Sequence, residues 1–297
     1  MIPRRPETVA LLGLGLIGGS IARAVARHGE APRVVAWTPG GAGPAQAFRD
    51  GVIQLAAPDP GVALADADLV VIAAPPLETV DLVRRLGADL ADSIKPGALV
   101  TDVASTKSAV MAAAAAAGVR FVGGHPMAGR ESSGYAASSA DLFVGRPWVV
   151  VVPDGSEADI DAPVRWLAEA CGAMTLSLSA ADHDSAAAAV SHLPLVLAAI
   201  LVEVVAADER VWPIASSLAA SGWAGATRLA RGDARMGAGI AATNNREIGR
   251  SLRAFRVELD RWIEALDRPG ADDTGPDSTE LERRFTAARA TLEAASR

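Results

Sequence analysis

A single cysteine, Cys171, excludes a disulfide within the chain and suits a reducing compartment, so a cytoplasmic location is expected. No block of lysine or arginine stands out in a chain of formal charge −7, which argues against a nucleic-acid or anionic-membrane surface. No metal site is expected. Arg4 and Arg5 precede an apolar run, but glycines break that run and a signal peptide is not expected. One long apolar stretch exists, from Ala186 to Ala207. It contains Ser191, His192, Pro194 and Glu203, polar or helix-bending groups that are costly in lipid, so a helix buried in the core of a soluble protein is the expectation.

What is present is a globular composition, 50% hydrophobic and 21% charged over 297 residues, long enough for two domains. The first half alternates short apolar runs with helical patterns. Strands are expected at Val9 to Gly13, Arg33 to Trp37, Asp68 to Ala74, Ala98 to Asp102 and Phe121 to Gly124, then at Trp148 to Val152 and Ala173 to Ser177. Helices between them imply a parallel sheet covered on both faces. From Ala180 to Leu266 the strand signal disappears and Ala/Leu/Val-rich helical segments take over. The expected organisation is an α/β doubly wound sheet domain over residues 1–179 and an all-α domain over 180–267. A linker and tail helix would fill 268–297. The helices look apolar over wide faces, so a second copy of the chain is expected to cover part of them.

Gly13-Leu14-Gly15-Leu16-Ile17-Gly18 follows the first strand and opens the first helix, the context that gives a G-x-G-x-x-G pattern its meaning. Gly13 permits the tight turn, Gly15 lets backbone approach a pyrophosphate, and Gly18 allows close helix–strand packing. The N–H groups at Leu16 and Ile17 then meet negative charge. At the end of the second strand the chain reads Ala36-Trp37-Thr38-Pro39-Gly40, with neither an acid for a ribose 2′-hydroxyl nor an arginine for a 2′-phosphate. Thr38 is the candidate ribose contact. A nicotinamide dinucleotide is expected, NAD rather than NADP, with NADP still open.

Three further patterns carry chemistry. His125 lies in GGHPMAGRESSGY from Gly123, a titratable ring on a path punctuated by Gly and Pro. Ser105 lies in DVASTK from Asp102, just past a strand end, and reads either as a donor to substrate or as the N-cap of the next helix. His192 sits in SHLP, where Pro194 would bend the helix, and reads either as a core histidine or as a pocket residue. Arg228, among small apolar residues, needs a carboxylate from protein or substrate.

With GLGLIGGS, DVASTK, GGHPMAGRESSG, SHLP and ATRLA in this order, the chain resembles the prephenate dehydrogenase family, which includes arogenate dehydrogenases. The resemblance spans Val9 to Leu266 and implies a Rossmann domain, a helical dimerisation domain and an active site between them. It implies NAD(P)-dependent oxidative decarboxylation of prephenate to 4-hydroxyphenylpyruvate, a step of tyrosine biosynthesis. His125 would be the catalytic base and Ser105 would hold the ring hydroxyl and orient His125. Arg228 would bind a substrate carboxylate, His192 would be a second pocket histidine, and Glu131 an acid near the pocket entrance. The chain departs from the family pattern at Leu195, where many relatives have histidine, and at Gly225, where many have aspartate. MGAG from Met236 replaces a motif with tryptophan. Arogenate or an amino-substituted prephenate is therefore an alternative substrate, and a dinucleotide sensor without turnover a more distant one. No regulatory domain is expected after Leu266. A hydroxyacid dehydrogenase using a helical-domain lysine is disfavoured, because the last lysine is Lys107.

Overall fold

The computed structural model describes residues 5–130, 132–268, 275 and 278–295. Its strands are β1 (Thr8–Leu12), β2 (Arg33–Trp37), β3 (Leu55–Ala56), β4 (Leu69–Ile72), β5 (Leu99–Asp102), β6 (Phe121–Pro126), β7 (Pro147–Val151) and β8 (Met174–Ser177). They form one sheet in the order β3-β2-β1-β4-β5-β6-β7-β8. Interleaved helices are α1 (Leu16–Ala26), α2 (Ala42–Arg49), α3 (Pro60–Leu64), α4 (Pro76–Leu86), α5 (Ser108–Ala117) and α6 (Ala162–Ala170). In β1 the side chains alternate between two cores, as the pleat requires. Val9 and Leu11 pack with Ile21, Val25, Trp148 and Leu167 on one face. Ala10 and Leu12 pack with Leu64, Val83, Leu86 and Val110 on the other. Both faces are thus buried, and each fully buried Leu or Val contributes about 1.5–3 kcal/mol.

The sheet is mixed rather than parallel throughout. β6 and β7 run antiparallel, with His125 opposite Val149. Among the described residues of the link between them, 127–146, the one helical element is a 3₁₀ turn at Tyr135–Ala137, so the chain turns back on itself instead of crossing over. A crossover through α6 then makes β8 parallel to β7.

The helical part begins with α7 (Ala180–Ala187), which runs through a π turn (Ala188–His192) into α8 (Leu193–Ala206). α9 (Trp212–Ser217), α10 (Ser221–Ala226), a 3₁₀ turn (Arg228–Arg231), α11 (Ala234–Thr243), α12 (Asn245–Asp267) and α13 (Ser278–Ala295) follow. The chain divides into two compact units, Met1–Glu247 and Ile248–Arg297. The helices from Ala180 to Glu247 thus pack with the sheet, although the change from strand to helix falls near Ala180. Within the second unit Trp262 packs on Phe285 at 5.2 Å, and Arg284 pairs with Glu258, so α13 docks on α12. Most of the expected linker lies outside the described residues.

The expectation of a buried apolar helix is not met within the single chain. Of α8 only Ala198 is buried, while Val190, Ile200 and Val204 face outward. The run Ala180–Ala206 is long and apolar enough to cross a bilayer by length and composition. Its first third is nonetheless tied by polar contacts to the sheet. The backbone N–H groups of Lys107 and Ser108 donate to Asp184 at 2.7 and 2.8 Å.

Candidate active site

The sheet changes direction of winding between β1 and β4, and ligands bind beyond the carboxyl ends of strands at such a point. A cavity of about 430 Å³ lies there. Its floor comes from successive strand ends: Gly15 after β1, Ala73 to Pro75 after β4, Val103 to Ser105 after β5, and His125 and Pro126 in β6. Ala128 to Arg130 and Ser132 to Gly134, with Gly232, Asp233 and Met236 around the start of α11, complete the wall.

The glycine loop has the shape a dinucleotide needs. Gly13 has φ +112°, and a Cβ there would lie 2.1 Å from the Ala73 carbonyl oxygen. Gly18 closes on the Gly13 carbonyl in the same way, whereas a Cβ on Gly15 would meet nothing within 4 Å. Gly15 is also the N-cap of α1, with no side-chain cap and no acid in the first turn. The cradle is an uncapped helix N-terminus opening on vacant space, lined by Leu16 and Ile17, and it fits a pyrophosphate. Thr38 follows β2 beside this turn, because the Gly13 N–H donates to Trp37 O at 2.8 Å. Its hydroxyl accepts the Gly41 N–H at 3.1 Å, and it does not line the cavity.

His125 is 8% exposed and reaches the cavity from within β6. Its Nδ1 lies 2.8 Å from His183 Nε2, and His183 Nδ1 lies 2.8 Å from Asp184 Oδ1. Burial first, then the neighbouring His183, Lys107 and His192, hold the His125 ring well below its usual basicity, with Asp184 opposing. Burial alone would raise the Asp184 carboxyl, but bonds from His183, Ser108 and Lys107 outweigh it and hold the group below the usual range.

Ser105 is half-buried on the cavity wall, two residues before the N-cap position of α5. It does not cap that helix. Asp184, arriving from α7, takes the N-terminal N–H groups instead. The preceding Asp102 is fully buried, pairs with Lys107 Nζ, and accepts backbone N–H groups from Ala104 at 2.9 Å and Gly124 at 3.1 Å. Lys107 Nζ also donates to Gly124 O at 2.7 Å. This buried pair clamps the strand that carries His125 to the loop that carries Ser105.

His192 is fully buried and lies behind the cavity rather than on its wall. Its Nδ1 is 3.1 Å from Asn244 Nδ2, which also donates to Asp184 O at 2.8 Å. Burial chiefly lowers its pKa from 6.5 to about 4. The π turn ending at His192, with Pro194 following, sets the ring facing inward. Arg228 is exposed in the 3₁₀ turn before Gly232 and is outside the cavity lining. Glu131 lies outside the described residues, and its neighbours Ser132 and Ser133 line the cavity. Among the described residues no group of His, Cys, Asp and Glu is arranged to hold a metal ion.

His183, Asp184 and the Asp102–Lys107 pair are bonded to the cavity's histidine or its strand, and the motifs did not single them out. His183 sits in AADHDS, a polar stretch that resembles a solvated helix start. Its one sequence signal is an acid immediately after a histidine.

Residues 21–177 match the family description "Prephenate dehydrogenase, nucleotide-binding domain", and residues 179–276 match "Prephenate dehydrogenase, dimerization domain". The chain is 30% identical to a prephenate dehydrogenase of Bacillus subtilis over 95% of its own length and 74% of the relative's. It is 30% identical to a cyclohexadienyl dehydrogenase of Zymomonas mobilis, over 87% of this chain and 88% of that one. Among solved structures, Synechocystis arogenate dehydrogenase superposes with a TM-score of 0.76 at 28% identity, covering 96% of this chain and 99% of that one.

Proposed function

Because this chain belongs to the prephenate dehydrogenase family, we propose that it oxidises and decarboxylates prephenate to 4-hydroxyphenylpyruvate with a nicotinamide dinucleotide, NAD by preference. The observation that carries the proposal is that His125, Ser105 and the open cradle at Gly15 line one cavity at the strand ends.

A bound nicotinamide supplies the hydride acceptor. Leu16 and Ile17 present the first N–H groups of α1 to the pyrophosphate, and Thr38 stands where the adenosine ribose would lie. Ser105 holds the ring hydroxyl of the substrate. His125, with Nδ1 engaged by His183, takes the hydroxyl proton on Nε2 as the carbonyl forms. Loss of carbon dioxide from the opposite carbon makes the ring aromatic and leaves a phenolate oxygen, to which His125 returns the proton. Arg228 and Glu131 are proposed to meet the carboxylate and the side chain at the entrance. His192 supports the site from behind rather than touching substrate.

Arogenate is the second reading, and the similarity to an arogenate dehydrogenase favours it. The two substrates share the reacting ring and differ in the side chain, which faces the wall formed by Ser132, Ser133 and Met236. The outward apolar surface of α8 and α9, with the matched dimerisation domain, supports a homodimer joined through the helices. Cys171 is buried with its thiol pKa pushed up, so it takes no part in redox chemistry, and a soluble cytoplasmic protein is proposed. Following absorbance of the reduced coenzyme, with prephenate and arogenate against NAD and NADP in turn, tests the proposal. No reduction with either substrate would refute it.

A further inference from the structure

With both rings neutral, the contacts that link Asp184, His183 and His125 fix where their protons sit. An ionised carboxylate only accepts hydrogen bonds, so Asp184 Oδ1 requires a proton on His183 Nδ1 at 2.8 Å. A neutral His183 then presents a bare Nε2, and the 2.8 Å contact requires a proton on His125 Nδ1. A neutral His125 is left with a bare Nε2, the tautomer a base needs if it is to attack a proton from the cavity side. The rings meet edge to face, with centroids 5.0 Å apart and planes at 73°, which suits a nitrogen–nitrogen bond in line. Asp184 is itself held by the Lys107 and Ser108 N–H groups, so the chain ends on a fixed anion.

We propose that His183 and Asp184 form a relay: it fixes the His125 tautomer and carries the proton that His125 takes from the substrate hydroxyl. The inference rests on the dehydrogenase reading. As the substrate O–H bond breaks, an N–H bond forms at His125 Nε2, while the hydride leaves for the coenzyme. The His125 Nδ1–H bond then breaks as His183 Nε2–H forms. One positive charge moves from His125 to His183, where it lies against the Asp184 carboxylate, and the reverse transfer returns the proton through His125 to the phenolate oxygen left when carbon dioxide departs. The groups facing His183 favour this direction. Lys107 at the head of α5 opposes a cation on His125, and the Asp184 carboxylate, 2.8 Å from His183 Nδ1, favours one on His183. His183 is a positioning and relay residue; it does not touch substrate.

His183→Gln separates the two duties. The Gln carbonyl oxygen can accept from His125 Nδ1 but cannot hold a proton. The variant should bind coenzyme and substrate as wild type does, with kcat lower by roughly 10–100-fold, below the full effect of losing a base. A proton inventory in mixed light and heavy water should bow for wild type, reporting two protons in flight, and become linear for the variant. Independently of turnover, ¹⁵N spectra of histidine-labelled protein should show His125 protonated on Nδ1 in wild type. His125 protonated on Nε2, a proton inventory that is linear for wild type, or His183→Gln turning over at the wild-type rate would each overturn the relay. Failure of wild type to reduce coenzyme with any substrate would instead sink the dehydrogenase reading, and the spectra would still decide the His125 tautomer.

Discussion

The carboxylate of Asp102 accepts the Gly124 N–H at 3.1 Å, joining the end of β5 to the residue before the proposed base. Lys107 completes the contact by pairing with Asp102 and donating to Gly124 O at 2.7 Å, with all of its side chain buried. Removing one member leaves a buried charge without its partner. Lys107→Met should therefore cost about 3–5 kcal/mol of stability, whereas replacing both, in Lys107→Met with Asp102→Leu, should recover part of the loss. Urea unfolding of the two variants measures the difference. Equal losses would show that the pair's charges do not depend on each other.

The reaction chemistry divides between two side chains. His125→Asn should lower kcat by roughly 10²–10⁴ while coenzyme affinity stays unchanged, the range for losing a general base. Arg228→Ala should act on KM for the substrate and leave coenzyme binding alone. Steady-state rates with coenzyme titration by fluorescence check both. A His125→Asn enzyme at full rate would remove the base from the scheme, and an unchanged KM would make Arg228 structural.

The two glycines of the loop should respond in opposite ways. Gly13→Ala places a methyl group 2.1 Å from the Ala73 carbonyl at a φ of +112°, so it should destabilise the fold by several kcal/mol. Gly15→Ala meets open space and should change stability by less than about 0.5 kcal/mol, yet it should weaken coenzyme binding because the methyl group occupies the cradle. Thermal melts with and without coenzyme separate the cases.

Acid should destabilise the protein through His192. The unfolded chain protonates this ring below about pH 6.5, while the folded protein holds it neutral down to about 4. The unfolded state thus binds the extra proton, and stability is lost as pH falls from 6.5 towards 4, by about 3 kcal/mol from this group. His125, also lowered, adds loss of the same sign. Urea midpoints at pH 7 and 4.5 should differ less in His192→Asn than in wild type.

Val204, Ile214 and Leu218 are 66%, 65% and 75% exposed on the helical surface of the single chain. An apolar patch of this kind marks an association surface. Wild type should sediment as a dimer, and Val204→Glu with Ile214→Glu should sediment as a monomer. A monomeric wild type would leave the patch without its proposed partner.

The sequence made some parts of this legible and not others. The glycine loop could be read because Gly13, Gly15 and Gly18 act through backbone geometry, and a local pattern encodes that geometry. Strand positions other than the two-residue β3 followed from apolar runs, but the direction of β7 did not. It depends on the link at residues 127–146, whose described residues pass no α-helix across the sheet. The apolar run around α8 correctly indicated a helix and wrongly indicated burial, because hydropathy does not say whether the covering surface comes from the same chain. His125 stood out by its Gly-Pro setting. His183 did not, since it comes 58 residues later and gains meaning only when α7 lies against β6. The Ser105 cap was a reasonable local inference overridden by a carboxylate from a distant helix.

The cavity has two kinds of wall. One is the row of strand ends β1, β4, β5 and β6, whose side chains are locked between two cores. The other is made of Ala128 to Arg130 and Ser132 to Gly134 with the start of α11, held by contacts such as Tyr135 Oη to Asp50 at 3.1 Å and Arg235 to Glu78. The first works like the fixed jaw of a vice and the second like the adjustable one. A designer who wants a different substrate should recut the adjustable jaw and leave the fixed one, with its base and its coenzyme cradle, untouched.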